Sequence, residues 1–293
     1  MHVSRWPNLL NDTNTYVHLK SGCGPGCFDI DGPTAQRVQR WADQESRPML
    51  HGYFEWDWAD CVRELRSAAT NASTSTARVR MSPTDVSPKD NARFYGLNLL
   101  CELDTPSEYY LDIENKLLHL IPPETVVGPP TSWPRGPVLG LKKNVICIDD
   151  TVNVELSDLS VVDGVVGISA VNVTGSLIEN VAISLQSQNG IVMTQAKDAT
   201  IRDVVVSDVG CGGIRAHGGD AISLTRGNVS VTNASITSFA LWKRTYEAGI
   251  HWSGVGNTYR KNVVRNGPHN CLYVVRELFS RSFALTRSLR TAS

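Results

Sequence analysis

Between Arg215 and Asn270 the chain gathers the side-chain types that acid–base chemistry needs. Two carboxylates, Asp220 and Glu247, stand with His217, His251 and His269 and with the cations Arg215, Lys243 and Arg244. The aromatic residues Trp242, Tyr246 and Trp252 are interleaved with them. A carboxylate pair can protonate a glycosidic oxygen and activate water. A Lys, Arg or His base beside a cation can instead drive β-elimination on a uronic acid. Aromatic faces flanked by arginine and carboxylates suit the binding of sugar rings. The expectation is therefore that Asp220, Glu247 and His251 are catalytic. Arg215, His217, Trp242, Lys243, Arg244, Tyr246, Trp252 and His269 are expected to bind substrate. The competing reading is plain: polar loop residues are commonly just solvated, and Asp220 after Gly218-Gly219 has the position of a turn cap. The three histidines show no second-shell pattern that would favour a metal site. No cofactor is expected; calcium has only the adjacent pair Asp149-Asp150 to recommend it, and that pair also reads as a solvated turn.

These groups need a scaffold, and the second half of the chain repeats. A Gly-Ile pair recurs at Gly167, Gly190, Gly213 and Gly249, in steps of 23, 23 and 36 residues. Thirteen residues after three of these glycines come Asn180, Asp203 and Asn262; in the long third coil Asn233 follows after 20. Asp158 fits one step earlier, and Cys271-Leu272 one step later. Short β-branched alternations follow each Asn or Asp, such as Val181-Ala182-Ile183 and Val204-Val205-Val206. A period near 23 without a leucine-rich signature or helical periodicity points to a parallel β-helix of about five coils. Stacked turns would align Asn and Asp into a ladder, and the repeated Gly is expected to supply a turn backbone that β-branched residues cannot adopt. The third coil carries insertions of about seven and six residues, within 214–223 and 239–248. In repeat folds such insertions form loops on one face, often the binding face.

The first 137 residues have a different texture. Thirteen of the 14 prolines lie at or before Pro137, as do five of the seven tryptophans. Proline cannot donate to a central strand ladder, so its disappearance marks where continuous sheet begins. This divides the chain into a β-rich accessory region with a Pro-rich connector (1–137), a β-helix (138–275) and a non-repeating tail (276–293). Glu108–Asp112 and Leu117–Ile121 read as a hairpin, and Leu99–Leu103 as a short helical turn. Asp57, Asp60, Glu102 and Asp104 are tempting carboxylates, with a structural role as caps and buried partners the stronger reading. Cys23 and Cys27 are spaced for a local disulfide or half a zinc site. Cys147, Cys211 and Cys271 fall in apolar surroundings and read as small core residues.

Lys plus Arg number 28 and Asp plus Glu 29, for a net charge of −1. That balance argues against nucleic-acid binding by bulk charge, and Gly22–Gly26 is not a phosphate loop. No apolar run approaches a membrane span, and no signal peptide is visible at the start. Five Asn-X-Ser/Thr sites, at Asn11, Asn71, Asn172, Asn228 and Asn233, are weak evidence for secretion.

Several stretches together resemble a known family. They are Arg5-Trp6-Pro7-Asn8, Arg40-Trp41, His51-Gly52-Tyr53-Phe54 leading to Asp57-Trp58-Ala59-Asp60, Asn98 to Asp104, and Glu108 to Asp112. With Gly218-Gly219-Asp220 and Gly254-Val255-Gly256-Asn257, they resemble right-handed parallel β-helix proteins of the pectate-lyase-like superfamily. The narrower likeness is to the carbohydrate-active group with a β-rich region ahead of the helix. The resemblance implies an extracellular, polysaccharide-processing protein, most readily a glycoside hydrolase. The alternatives are a lyase on uronate polymers and a non-catalytic glycan binder. The partner expected is a polysaccharide or oligosaccharide. Relatives begin earlier and continue for several more coils, whereas the tail from Arg276 has no glycine and breaks the period. A truncated chain is the expectation, with a capping tail as the alternative.

Overall fold

A computed structural model describes residues 2–9, 15–71, 73–126, 128–129, 131, 133, 138–275 and 286–288. Parts of the Pro-rich connector and most of the tail lie outside the described residues. The chain divides into two compact units, Met1–Gly136 and Pro137–Ser293.

The first unit is built on an antiparallel sheet. Its central strands Arg93–Leu97, Met49–Trp56, Ala59–Asn71, Thr76–Ser82 and Cys27–Asp31 lie side by side in that order. One face packs against the helix Gly32–Gln44, which the sequence reading did not anticipate. Pro33 at its first turn needs no partner for a missing N–H, and Ala35, Val38 and Trp41 recur at helical spacing and are buried. They pack with Phe28, Leu50, Phe54, Val79 and Phe94 in one apolar core. The expected hairpin is Glu108–Asp112 paired with Leu117–Leu120, and the expected helical turn is the 3-10 segment Leu100–Glu102. Cys23 and Cys27 form a disulfide.

The second unit is a parallel β-helix of five coils. One sheet stacks the parallel strands Asn144–Val152, Val166–Thr174, Ile191–Ala196, Ile214–Asp220, Ala248–Gly254 and Asn270–Val275. Thr286–Ser288 adds antiparallel to the last of them. A second sheet is bent. Its long strands Glu155–Gly164 and Leu177–Gln186 split in later coils into pairs such as Thr200–Arg202 and Val205–Val209. The isoleucines of the Gly-Ile pairs, Ile168, Ile191, Ile214 and Ile250, stack as direct register partners inside the coils.

The corners follow a rule finer than the 23-residue period. Left-handed backbone recurs every five residues, at 153, 158 and 163, then 175, 180 and 185, then 198, 203 and 208, then 228, 233 and 238, then 256, 261 and 266. Ten of these fifteen positions are Asn or Asp, the non-glycine residues that tolerate this region best. Stacking brings their side chains together. Asn180 Nδ2 donates to Asp158 Oδ1 and Asn233 Nδ2 to Asp203 Oδ1. Asn228 donates to Asp198 at 2.9 Å, and Asn172 to Asp150 at 2.7 Å. Asp150 thus belongs to a ladder. The ladder carries one correction. Thr232 pairs with Arg260 and Ser235 with Val263, so Lys261, not Asn262, stacks on Asn233. Asn262 instead caps backbone, accepting from Ala234 N–H and donating to the Val231 carbonyl.

The repeated glycines also have a different reason from the one expected. Gly167, Gly190, Gly213 and Gly249 are not in left-handed conformation. They lack room. A Cβ on Gly190 would stand 2.6 Å from Val206 Cγ1 and 2.7 Å from the Gly213 carbonyl oxygen of the next coil. A Cβ on Gly213 would stand 2.6 Å from both the Gly249 oxygen and Ile236 Cγ2. Gly190→Ala is therefore expected to overpack the coil by about 1–3 kcal/mol. Thermal unfolding should register this as a Tm lowered by roughly 3–10 °C; an unchanged Tm would show that the coils can spread.

Candidate functional site

The first insertion emerges at the end of strand Ile214–Asp220 as a hairpin, with Gly219 paired to Arg226 and Asp220 to Thr225. The second lies just before strand Ala248–Gly254. The insertions therefore leave from opposite ends of neighbouring strands in the same sheet, and that sheet's outward side chains lie between them.

Alternation decides which residues those are. Register stacks Cys147, Ser169, Val192, Arg215, His251 and Tyr273 in one outward column. His217 and Ser253 belong to the adjacent outward column, where His217 Nδ1 and Ser253 Oγ are 2.8 Å apart. Cys147 is exposed here, not a core residue. Trp252 falls on the opposite parity. It pairs with the buried Ala216, and its ring stacks on Tyr259 at 3.9 Å and 18°. The expected sugar platform is thus an inward-facing residue of the last complete coil, because it sits three positions after Gly249 rather than two.

Glu247 is 8% exposed, and its Oε2 accepts from Arg215 Nη2 at 3.2 Å. Gly212 makes space for this carboxylate: a Cβ there would lie 3.3 Å from Glu247 Oε2. Tyr246, immediately before it, adopts φ 58°. This conformation is strained for a bulky side chain, and here it separates a half-exposed ring from the buried carboxylate that follows. The Tyr246 N–H donates to His269 Nδ1 at 3.4 Å, and the two rings are 5.8 Å apart. The preceding loop folds back on Gly210, whose carbonyl accepts from the N–H groups of Trp242 and Lys243 at 2.9 and 3.0 Å. Trp242 is 42% exposed, and Arg244 follows in the same loop.

His251 sits against Tyr273, ring centroids 5.0 Å apart, and beside Arg215. Burial, with a smaller contribution from the Arg215 charge, pushes its imidazole down to about 4. Neither ring nitrogen has a hydrogen-bond partner among the described residues. His251 is therefore neutral at pH 7, with both ring nitrogens buried from solvent. The linkage to stability follows in sign. Between about 4 and 6.5 the unfolded chain binds a proton that the folded chain refuses, so stability falls as pH drops through that window. After allowance for partial solvent screening the loss is about 1–2 kcal/mol. Wild type should lose more Tm than His251→Gln between pH 7 and pH 4.5; equal losses would contradict a buried neutral imidazole.

Asp220 is placed elsewhere. Its carboxylate accepts from Ile222 N–H at 2.9 Å and from Ser223 Oγ at 2.7 Å, closing its own hairpin turn. The Ser223 hydroxyl, then the Ile222 amide, hold it below the usual carboxylate range. Five residues of extended strand separate it from Arg215, about 16 Å, whereas Glu247 is at Arg215. Paired carboxylates in glycoside hydrolysis stand about 5–9.5 Å apart. The structure thus brings together Glu247, Arg215, His251 and the flanking His217, with Tyr246, His269 and the Trp242 loop at one border, and sets Asp220 at the far end of the strand. Tyr273 and Ser253 were missed by sequence reasoning. The two-residue offset from each coil start that gives Arg215 and His251 also gives Tyr273.

No protein-family model matches the chain, and no curated protein matches it. Among solved structures, one described as a glycoside hydrolase aligns over 87% of this chain and 69% of its own, at 13% identity and a TM-score of 0.47. The catalytic domain of a GH87 alpha-1,3-glucanase in complex with nigerose aligns over 88% of this chain and 53% of its own, at 11% identity and a TM-score of 0.26. A second such catalytic domain, in complex with tetrasaccharides, aligns over 85% and 66%, at 10% identity and a TM-score of 0.21.

Proposed function

We propose that the outward face of the sheet containing Arg215 and His251 binds a polysaccharide and hydrolyses its glycosidic bonds. The observation that carries this reading is the buried Glu247 carboxylate, held by Arg215 between two insertions and bordered by the exposed rings of Trp242 and Tyr246. A carboxylate oriented by a guanidinium is suited to take a proton from water or to attack an anomeric carbon. His217 supplies hydrogen bonds to sugar hydroxyls, and Lys243, Arg244 and His269 border the face. Asp220 has its oxygens engaged in a turn, so Glu247 takes the proton from the attacking water, and the departing glycosidic oxygen is protonated from solvent.

A second reading, β-elimination on a uronate polymer, is favoured by one observation: a neutral imidazole lies beside an arginine. Arg215 would then bind the uronate carboxylate, and His251, with its ring turned to bring a nitrogen to the surface, would take the proton next to it. The full chain incubated with neutral and uronate polysaccharides separates the two. New reducing ends without ultraviolet absorbance, lost in Glu247→Gln, support hydrolysis. Absorbance rising with the reducing ends, lost in His251→Gln, moves the assignment to a lyase. Retention of a polysaccharide without either signal makes the face a binding surface and overturns both.

A further inference from the structure

The first unit carries an aromatic feature that its fold does not require. Strands Met49–Trp56 and Ala59–Asn71 meet in a tight hairpin, with Trp56 paired to Ala59 and only Asp57 and Trp58 at the tip. Such tips favour Gly, Asn and Asp, and tryptophan contributes nothing to the turn. Here Trp56 and Trp58 are 43% and 54% exposed, side by side, with ring centroids 5.0 Å apart at 27°. Lys89 Nζ lies 3.5 Å from the centre of the Trp56 ring. Trp56 is therefore in contact with both a cation and an indole, and Trp58 is the more exposed of the two rings.

Several contacts tie the tip to the sheet below it. Arg93 donates to Asp57 Oδ1 at 2.8 Å and to the Asp57 carbonyl at 3.2 Å. The same guanidinium lies 4.2 Å from the Tyr53 ring centre. The Lys89 N–H donates to the Phe54 carbonyl at 2.8 Å, which ties the ammonium-bearing segment to the hairpin. A platform fixed in this way loses little freedom when something binds.

We infer that Trp58, backed by Trp56, is a stacking platform for a neutral sugar ring, a second carbohydrate site in the first unit. A pyranose has a face of C–H groups and a belt of hydroxyls; the C–H face complements the electron-rich face of an indole. The Asp57 side chain, 84% exposed, stands beside the platform as a hydroxyl acceptor. Both nearby cations are engaged, Arg93 by Asp57 and Lys89 by Trp56, which disfavours a polyanion. The two rings together offer about 200 Å². That is far below the roughly 800 Å² per partner of a stable protein interface, and it fits one or two sugar units. The inference rests on the carbohydrate reading of the chain.

Affinity electrophoresis of the full chain, in gels cast with dextran, amylose, xylan or polygalacturonate, tests it. Wild type is expected to be retarded by a neutral polysaccharide more than by polygalacturonate. Trp58→Ala should weaken that retardation at least tenfold in apparent affinity, and Trp58→Phe should recover part of it. Thermal melts of both variants are expected to match wild type, since the ring is half exposed. Equal retardation of wild type and Trp58→Ala overturns the platform. If Arg215→Ala alone then abolishes retardation, the reading of the β-helix face survives that failure. No retardation of wild type in any gel overturns the platform and removes support from the carbohydrate reading together. Self-association of wild type that Trp58→Ala abolishes, without any polysaccharide effect, reassigns the tip to a protein contact.

Discussion

Glu247→Gln is expected to lower kcat on a cleaved polysaccharide by about 10²–10⁴-fold while leaving KM within a few-fold. The amide preserves the side chain's size and can still accept one hydrogen bond from Arg215. It cannot take a proton from water or attack an anomeric carbon. The change therefore removes an interaction made in the transition state and spares ground-state binding, which separates kcat from KM. Arg215→Lys provides the complementary test. A lysine keeps the positive charge but loses the planar fork that orients the carboxylate, and it leaves a 3.2 Å contact to be remade by a flexible ammonium. Its expected kcat lies between wild type and Glu247→Gln. Full activity in Glu247→Gln, with Asp220→Asn now inactive, would return the chemistry to the hairpin.

The two carboxylates differ in how far the sequence could distinguish them. The 23-residue period and the Gly-Ile pairs place Arg215 and His251 at the same offset from successive coil starts, so their stacking was readable before any coordinates. Trp252 was equally readable: one position further on, strand alternation turns it inward, where it meets Tyr259 at 3.9 Å. The loop residues were not readable in this way. Glu247 is aimed by the left-handed backbone at Tyr246, and Asp220 by hydrogen bonds from Ile222 and Ser223. Insertions lie outside the repeat, so no neighbouring coil predicts their conformation.

The corners show how composition obscures a regular backbone. Five-residue spacing of left-handed residues holds through every coil, yet Leu185, Ser238 and Lys261 occupy corners that Asn or Asp fills elsewhere. A ladder traced by residue type alone slips there, and Asn262 was assigned to a rung that Lys261 holds. The glycines mislead in the other direction. A glycine at each coil start implies a special dihedral, whereas the atoms that exclude a Cβ belong to the bent sheet and to the next coil. Only the stacked structure contains that information. In the first unit the helix was hidden by its setting, since a segment opening with Gly32-Pro33 resembles a turn until the spacing of Ala35, Val38 and Trp41 is given weight.

Glu102→Ala is expected to destabilise the first unit by about 2–4 kcal/mol, lowering its Tm by roughly 6–15 °C. The carboxylate is 3% exposed and accepts hydrogen bonds from Arg37 Nη1 at 2.9 Å, Arg40 Nη2 at 2.8 Å and Trp41 Nε1 at 2.8 Å, with a longer one from Cys101 Sγ at 3.9 Å. Trp41 is wholly buried, so alanine strands its indole N–H where water cannot replace the acceptor. Arg37 and Arg40 are 35% and 42% exposed and regain water, which keeps the loss below that of a fully buried triad. Glu102→Gln retains an acceptor for Trp41 and is expected to cost about half as much. A buried carboxylate among arginines also has the composition of a catalytic site, and the two roles differ in what they predict. A structural Glu102 gives variants whose turnover, measured well below their lowered Tm, matches wild type. Loss of turnover in Glu102→Gln at unchanged Tm would contradict the structural role and place chemistry in the first unit.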